Sequence, residues 1–224
     1  IAYYQELEGM LGTDNSLEQR IERKKAEAMK AKRFALQKGK DLSEIRKGLA
    51  KTIESEIKAN LRDLLLEANF TIGFSPNPEE LGESGIDSVD FLIETNIGEG
   101  MKSLSKTIPG GGASRIMLAF KAIFVKANRI ETIIFDEIDT GISGVAAMAV
   151  AKKISEISFS TQVICITHLP QVASFSDQSV LIQKKVAKGR TYVEIEELSL
   201  EKKIEEVAHL ISRSEEHTSE LQSH

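Results

Sequence analysis

The first third of the chain is a long run without residues that break helices. Residues 17–69 contain no proline and only two glycines, Gly39 and Gly48. Apolar residues recur there at spacings of three and four, and the opposite positions are Lys, Arg and Glu. The recurring apolar residues are Leu42, Ile45, Leu49, Ile53, Ile57, Leu61 and Leu64. This pattern predicts a long, largely solvated helix of a coiled-coil arm.

A coiled-coil helix needs a partner helix, and no second run of this kind follows in the chain. Residues 1–11 could supply part of the partner, and most of it is expected outside the chain. Residues 1–11 also resemble the interior of a longer protein, since no initiator Met precedes them. The chain is therefore interpreted as a piece of a larger molecule.

Positive charge is concentrated on one part of the predicted helix. Residues 20–40 contain nine basic residues and two acidic ones, Glu22 and Glu27. One interpretation is a stripe that follows DNA phosphates, and the other, which we favour, is a solvated helix face. The formal net charge of the whole chain is -5, which excludes a protein that coats nucleic acid over its entire surface.

Composition excludes further classes of protein. No apolar run approaches the ~20 residues needed to cross a bilayer, and the first residues lack the pattern of a secretion signal. The single cysteine, Cys165, excludes an internal disulfide framework and lies in an apolar run. We therefore expect a cytoplasmic protein without a membrane partner, in which Cys165 is a small buried side chain.

The last residues, RSEEHTSELQSH at 213–224, are polar and have no periodic apolar face. They resemble the translation of a common sequencing-library adapter, so we expect them to lie outside the native fold. The predicted domains are then an arm segment at 1–66 and a compact lobe at 67–212.

Alternating apolar residues mark two hairpins in the compact lobe. The alternation within 70–74 and 89–93, around a loop with prolines and glycines, predicts the first hairpin. A second hairpin is predicted from 180–182 and 192–195. Apolar residues at helical spacing over 204–211 predict a last amphipathic helix.

The middle of the lobe has a different pattern. Two apolar runs without alternation, 132–135 and 163–166, predict strands. A helix is predicted before the first strand, over 114–128, and another between the two strands, over 145–157. Strands without alternation belong in a sheet covered on both faces, so we expect an α/β fold with a mainly parallel sheet flanked by helices.

The segment TIIFDEIDTGISG at 132–144 is the most specific in the chain. The predicted strand ends at Asp136 and Glu137, so both carboxylates lie at the carboxyl edge of the sheet. Open α/β sheets bind ligands at this edge. One carboxylate can hold the water shell of Mg²⁺, which prefers oxygen ligands. The other can orient or deprotonate an attacking water, as phosphoryl transfer requires. A solvated acidic turn is the plainer alternative.

The second strand ends at Thr167 and His168. If the two strands are parallel neighbours, His168 faces the same crevice as Asp136, and its ring can contact a terminal phosphate. A single histidine is more often structural. Its placement after a second strand, together with the nearby Asp139, is what favours a site.

Three segments together resemble the RecN family, relatives of the SMC proteins within the ABC ATPase superfamily. The segment at 132–144 is similar to the Walker B motif and D-loop, and VICITHLPQVASFSD at 163–177 is similar to the switch-histidine segment. SRIMLAFKAIF at 114–124 is similar to the helix after the signature loop. The resemblance extends over about residues 61–212. It implies the carboxy-terminal lobe of an ABC/SMC-type ATPase head, preceded by a long coiled-coil helix.

The resemblance also implies roles for single residues. Asp136 corresponds to the Walker B magnesium residue and Glu137 to the catalytic base. Asp139 corresponds to the D-loop residue at the dimer seam, and His168 to the sensor of the γ-phosphate. The nucleotide-contacting residues implied in the signature segment are Gly110, Gly111 and Ser114.

The function implied is hydrolysis of ATP, with Mg²⁺, between two engaged heads of a homodimer during repair of DNA double-strand breaks. The other partners implied are DNA ends and a missing amino-terminal lobe with the Walker A motif, in the bacterial cytoplasm at the nucleoid. No GxxxxGK[ST] segment occurs in these 224 residues, so the chain alone is expected to be inactive.

The signature loop departs from the family pattern. The family has Ser-Gly-Gly-Glu, whereas this chain has PGGG at 109–112, followed by Ala113 in place of Leu. Pro109 has neither a hydroxyl nor an N–H to donate to the γ-phosphate of the opposite head. The signature is therefore expected to be impaired, or to carry a sequence error, although the glycine N–H groups and the following helix can still attract phosphate.

Three other functions stay open. The chain can be another SMC-like or ABC-type ATPase, although its long charged helix disfavours a transporter subunit. It can be a structural head that dimerises without catalysis, as the altered signature suggests. A metal-hydrolase cluster is the least favoured, because two adjacent acids on a strand point to opposite sides. Its members would be Asp136, Glu137, Asp139 and His168.

Overall fold

The computed structural model describes the backbone of most of the chain. The described residues are 2–77, 81–96, 98–106, 110–139, 141–142, 144–187 and 189–221, with only the backbone described at 6–16, 110–111, 187 and 214–221. In chain order the elements are α1 (Ala2–Asp63), β1 (Asn69–Pro76), β2 (Asp87–Glu94), β3 (Lys102–Ser103), α2 (Gly110–Asn128), β4 (Thr132–Asp136), α3 (Gly144–Ser158), β5 (Gln162–Ile166), α4 (Pro170–Ser174), β6 (Val180–Ala187), β7 (Arg190–Glu197) and α5 (Leu200–Leu221).

The arm helix α1 is continuous over 62 residues. Residues 2–11 belong to this same helix and do not form a separate partner helix for it. The helix stops at Asp63, before the predicted end, because Leu65 adopts a left-handed φ of 55°. The N–H of Leu66 then donates to the carbonyl of Leu61 at 2.9 Å, which closes the helix with a Schellman bond. A leucine in the position that usually holds glycine gives no sequence signal for this end.

The chain forms two compact units. One contains Ile1–Ile53 and Ile72–Asp90, and the other contains Glu54–Thr71 and Phe91–His224. The domain boundaries at residues 66 and 212 stay predictions. The backbone of α5 continues as a helix to Leu221, through most of the tail that was expected outside the fold.

In the first unit, the end of the β1–β2 loop packs against α1. A Cβ at Gly39 would lie 2.7 Å from Cγ2 of Ile86, so only glycine allows this approach. Ser43 Oγ donates to Asp87 Oδ1 at 2.8 Å, and Arg46 Nη1 lies 3.6 Å from Asp87 Oδ2. The two polar side chains Ser43 and Asp87 are thus buried with partners.

In the second unit, aromatic rings and two helices build the core. The rings of Phe70, Phe91 and Phe120 have centroids 5.4 to 6.0 Å apart. Leu118 on α2 and Phe135 on β4 are fully buried. From α3, the buried residues are Ala147, Val150, Ala151, Lys153, Ile154 and Ile157.

The described strands form three small sheets. β4 and β5 pair in parallel as predicted, whereas β2–β3 and β6–β7 are antiparallel. Only one face of the β4–β5 pair is covered by described residues. On the other face Ile134, Ile164 and Ile166 are 58%, 45% and 55% exposed, so the expectation that helices cover both faces holds for one face.

Lys153 ties the end of α1 to α3. Its side chain is 8% exposed, and Nζ donates to Asp63 Oδ2 at 2.7 Å and to Glu156 Oε2 at 2.8 Å. Burial by itself lowers the pKa of Lys153, because it disfavours the charged ammonium. The hydrogen bonds to Asp63 and Glu156 have the larger combined effect, so the pKa of Lys153 is raised above its ordinary value. This contribution to stability is therefore complete below the unfolded pKa of about 10.4 and is lost as pH rises through the higher folded value.

Replacing Lys153 with Met should lower the free energy of unfolding at pH 7 by about 1 to 2 kcal/mol, because two charge-assisted hydrogen bonds are removed. The measurement is urea denaturation followed by circular dichroism. Lys152→Met is the matched control, since Lys152 is the exposed neighbour and such a change usually stays within about 0.5 kcal/mol. The difference between the two variants should shrink above about pH 10.4. Equal effects at pH 7 would contradict the assignment.

Candidate functional site

The ends of β4 and β5 lie at one edge of the parallel pair. The register pairs Phe135 with Cys165 and Asp136 with Ile166. Parallel strands run in the same direction, so the residues that follow Asp136 and Ile166 leave the sheet side by side. The two segments selected from the sequence, at Asp136 and at His168, are therefore brought to the same edge.

Asp136 and Glu137 are both exposed at this edge. Neither carboxylate has a hydrogen bond or ion pair to another described residue. Glu137 has a φ of 54°, in the left-handed region, which costs a residue other than glycine about 1 to 2 kcal/mol. Strain of this kind is common where a structure holds a side chain for function. No pattern in the sequence signals it.

Asp139 is buried, with 2% of the residue exposed. Its Oδ2 accepts a short hydrogen bond from the Thr167 hydroxyl and one from the His168 N–H at 3.2 Å. Its carboxylate therefore contacts the chain segment that follows β5. The place at a dimer seam that the resemblance implies for Asp139 stays a prediction.

His168 lies between β5 and the short helix α4, and 75% of its side chain is exposed. Its Nδ1 is 3.7 Å from Asp139 Oδ2. Thr167, which precedes it, also accepts a hydrogen bond from the N–H of Leu169 at 3.0 Å. The backbone on both sides of His168 is thus hydrogen-bonded, while its ring is open to solvent.

Cys165 lies one residue from the end of β5 and is half-buried rather than fully buried. Burial, and then the negative charge of Asp139, raise the pKa of its thiol to about 11. The thiol is therefore protonated near neutral pH, as expected for a structural cysteine.

The segment that resembles the signature loop is helical from an earlier residue than predicted. α2 begins at Gly110, so Gly110, Gly111 and Gly112 belong to its first turn and not to a loop. Pro109 lies outside the described residues. Ser114 is half-buried one turn further along.

Sequence reasoning missed Arg115. Its Nη1 donates to the carbonyls of Leu64 and Leu65 at 3.3 and 3.1 Å, just after the end of α1. These carbonyls belong to the end of a helix, which has acceptors left over and a negative partial charge. The position of Arg115 directly after Ser114 was visible in the sequence, but its distant partner was not.

The described residues bear on the metal-hydrolase alternative. No three His, Cys, Asp or Glu side chains among them are grouped so that they can hold a metal ion together, which leaves that alternative without support. A Mg²⁺ bound through one carboxylate and waters needs no such group. No helix in the same part of the chain is long and apolar enough to cross a membrane.

Comparison with known proteins identifies the family. No protein-family model matches the chain. The DNA repair protein RecN of Bacillus subtilis (strain 168) is 43% identical over 187 residues, which are 77% of this chain and 32% of that protein. RecN of Treponema pallidum (strain Nichols) is 32% identical over 214 residues, 93% of this chain and 36% of that protein. The chain belongs to the RecN family. It spans about a third of the length of these curated relatives, in their carboxy-terminal portion.

Solved structures show which fold the RecN-family chain has. The Smc head domain with a coiled coil and joint from Pyrococcus yayanosii matches with a TM-score of 0.55 at 22% identity, over 74% of this chain and 30% of that chain. A structure from a study of ATP-driven dimerization and DNA stimulated activation of SMC ATPases matches with a TM-score of 0.52 at 20% identity, over 75% of this chain and 96% of that chain. The predicted fold class, the carboxy-terminal lobe of an SMC-type head with a long helix, is confirmed.

The strain at Glu137 gives a prediction about this RecN-family lobe. Glu137→Gly should be more stable than Glu137→Ala by about 1 kcal/mol, because glycine adopts a left-handed φ without strain and alanine does not. Both changes remove the carboxylate, so the comparison isolates the backbone. Urea denaturation of this chain provides the measurement. If the alanine variant is equally stable, Glu137 is not strained in solution.

Proposed function

We propose that this chain supplies the Walker B, D-loop and switch-histidine half of an ATPase head. In the full-length protein, two engaged heads of a homodimer hydrolyse ATP with Mg²⁺. The biological setting proposed is repair and recombination of DNA double-strand breaks, in the bacterial cytoplasm at the nucleoid. The observation that carries the proposal is the parallel pairing of β4 and β5, which brings Asp136, Glu137 and His168 to one edge.

Asp136, Glu137 and His168 have different roles in the proposed hydrolysis. Mg²⁺ supplies charge neutralisation at the phosphates when it is bound. The exposed carboxylate of Asp136 fits this ion, since Mg²⁺ keeps several waters and takes one or two carboxylates. Glu137 orients the attacking water and accepts its proton. His168 contacts the terminal phosphate through its exposed ring.

The signature segment serves the nucleotide of the opposite head. α2 begins at Gly110, so the N–H groups of Gly110 and Gly111 lie at the amino end of a 19-residue helix. Such an end favours anions because its N–H groups are unpaired and its partial charge is positive. Ser114 lies on the same helix and adds a hydroxyl one turn further along.

A second lobe completes the head. A pair of strands is a marginal sheet in water, and a sheet face that exposes Ile134, Ile164 and Ile166 gains stability when it is covered. The curated relatives are about three times longer than the part matched here. The proposed cover is the amino-terminal lobe that carries the Walker A motif, and this chain alone should not turn over ATP.

The test is a chimera, defined as the RecN of Bacillus subtilis with its matching part replaced by this chain. Glu137→Gln should keep ATP binding and reduce hydrolysis about 10²- to 10⁴-fold, because the amide keeps the size but is not a base. Phosphate release and nucleotide binding are measured in parallel. Glu131→Gln is the matched control, since Glu131 is exposed just before β4, away from the strand ends.

The outcomes separate the remaining possibilities. Turnover of Glu137→Gln within twofold of the parent chimera would refute the role of Glu137. A parent chimera that dimerises with ATP but does not hydrolyse it would favour the structural head. Pro109→Ser combined with Gly112→Glu would then show whether the altered signature is the cause.

DNA is the remaining proposed partner, and the arm gives one place to look for it. Among the described residues, Lys24 and Lys25 pair with Glu27 and Glu22 at 2.7 and 3.1 Å, which satisfies their charge on the helix itself. Five basic residues of 20–40 have no described carboxylate partner: Arg20, Lys30, Lys32, Arg33 and Lys40. If the arm binds DNA phosphates, these five are the available cations, and Lys30, Lys32 and Arg33 are the three that lie close together along the helix.

Changing Lys30, Lys32 and Arg33 to Gln in the chimera should weaken DNA binding and flatten its salt dependence. Each DNA phosphate that the arm no longer neutralises lowers the log–log slope by about 0.9. Fluorescence anisotropy with duplex DNA at several salt concentrations measures the slope. The control changes Lys24, Lys25 and Lys38, which have acidic neighbours on the helix, and should flatten it less. An unchanged slope in the first variant would establish the solvated-face interpretation.

A further inference from the structure

The buried carboxylate of Asp139 needs an explanation that the roles above do not supply. Its side chain is 1% exposed, although an ionised carboxylate loses several kcal/mol of solvation when it leaves water. Buried polar groups in proteins are nearly always hydrogen-bonded. The donors that bond to the Asp139 carboxylate therefore indicate its role.

All of the described contacts of this carboxylate converge on one oxygen and come from one short segment. Asp139 Oδ2 accepts from the Thr167 hydroxyl and from the His168 N–H. Nδ1 of His168 is 3.7 Å from the same oxygen, just beyond hydrogen-bond distance. These groups lie 28 and 29 residues from Asp139 in the chain, so the carboxylate joins the segment after β4 to the segment after β5.

Thr167 extends this connection along the backbone. Its hydroxyl donates to Asp139 and also accepts from the N–H of Leu169. The hydroxyl therefore donates one hydrogen bond and accepts another. The N–H groups of His168 and Leu169 each have a hydrogen-bond acceptor, Asp139 for the first and Thr167 for the second. A bonded turn of this kind restricts where the exposed imidazole can point.

We propose that Asp139 is a positioning residue that holds His168 in its working orientation. The proposal rests on the proposed function, in which His168 contacts the terminal phosphate. The hydrogen bonds that Asp139 accepts from the Thr167 hydroxyl and the His168 N–H fix the backbone from which the exposed ring projects. Asp139 thus acts through His168 and not by contact with nucleotide.

The first test uses NMR of the His168 ring and amide in this chain. The parent should show one narrow set of ring signals and slow hydrogen exchange of the His168 N–H, and Asp139→Asn should broaden the ring signals and speed the exchange. Thr167→Val and Thr167→Ser form a second pair, in case the Asn variant does not fold. The valine variant removes the hydroxyl and should disorder the ring, whereas the serine variant keeps the hydroxyl and should retain the parental spectrum.

The second test measures ATP hydrolysis by the chimera. Asp139→Asn should lower kcat about 10- to 100-fold with little change in KM, as is typical when a supporting partner of a site residue is removed. Thr167→Ser should recover several-fold more kcat than Thr167→Val. Glu131→Gln, at the exposed residue just before β4, is the control and should leave kcat unchanged.

The results distinguish this inference from the proposed function. If Glu137→Gln abolishes hydrolysis but Asp139→Asn leaves kcat within twofold, the ATPase assignment stands and the positioning role is wrong. If the parent chimera does not hydrolyse ATP, the His168 spectra decide the positioning role. His168 ring signals and amide exchange that are the same in the parent, Asp139→Asn and Thr167→Val overturn it.

Discussion

The structure depends on the parallel pairing of β4 with β5. This pairing places Asp136 opposite Ile166, and it does so across a connection that contains the whole of α3. A parallel pair requires such a crossover, because the chain must return to the same end of the sheet before the second strand begins. The helix that makes the return also fills the core with Val150 and Ala151. One packing arrangement thus stabilises the lobe and brings the two strand ends together.

The strand ends are also where the lobe departs from ordinary local preferences. Glu137 has a left-handed backbone, and Asp139 is a buried carboxylate, whereas most of the surrounding residues follow simple apolar and polar patterning. Such departures concentrate where a structure holds groups for chemistry, because the rest of the fold must compensate for them. Here both departures occur within four residues of the end of β4. This is the carboxyl edge of the strand pair, and open α/β sheets generally bind ligands at that edge.

The end of the arm helix is connected to the same lobe by two cationic side chains. Arg115 on α2 donates to the carbonyls after α1, and Lys153 on α3 bonds Asp63 in the last turn of α1. α2 begins with Gly110, Gly111 and Gly112, and α3 follows β4. Both helices are therefore bonded to the segment where the arm ends.

The amino-acid sequence determined the elements whose signal is local. The helical stripe of α1, the apolar runs of β4 and β5, and the Asp136–Glu137 and Thr167–His168 strand ends were all predicted, since each depends on periodicity or on a few adjacent residues. The similarity to RecN relatives then confirmed the family that those motifs implied.

Tertiary structure alone decided what depends on partners far apart in the chain. The continuity of α1 through residues 2–11 and its end at Leu65 have no distinctive local residue. The inward direction of Asp139, the left-handed Glu137 and the contacts of Arg115 and Lys153 arise from groups 28 to 90 residues apart or from backbone geometry imposed by packing. Sequence patterns indicate which side chains are buried. They do not indicate which buried donor bonds to which acceptor, because those hydrogen bonds form only after the strands and helices have packed.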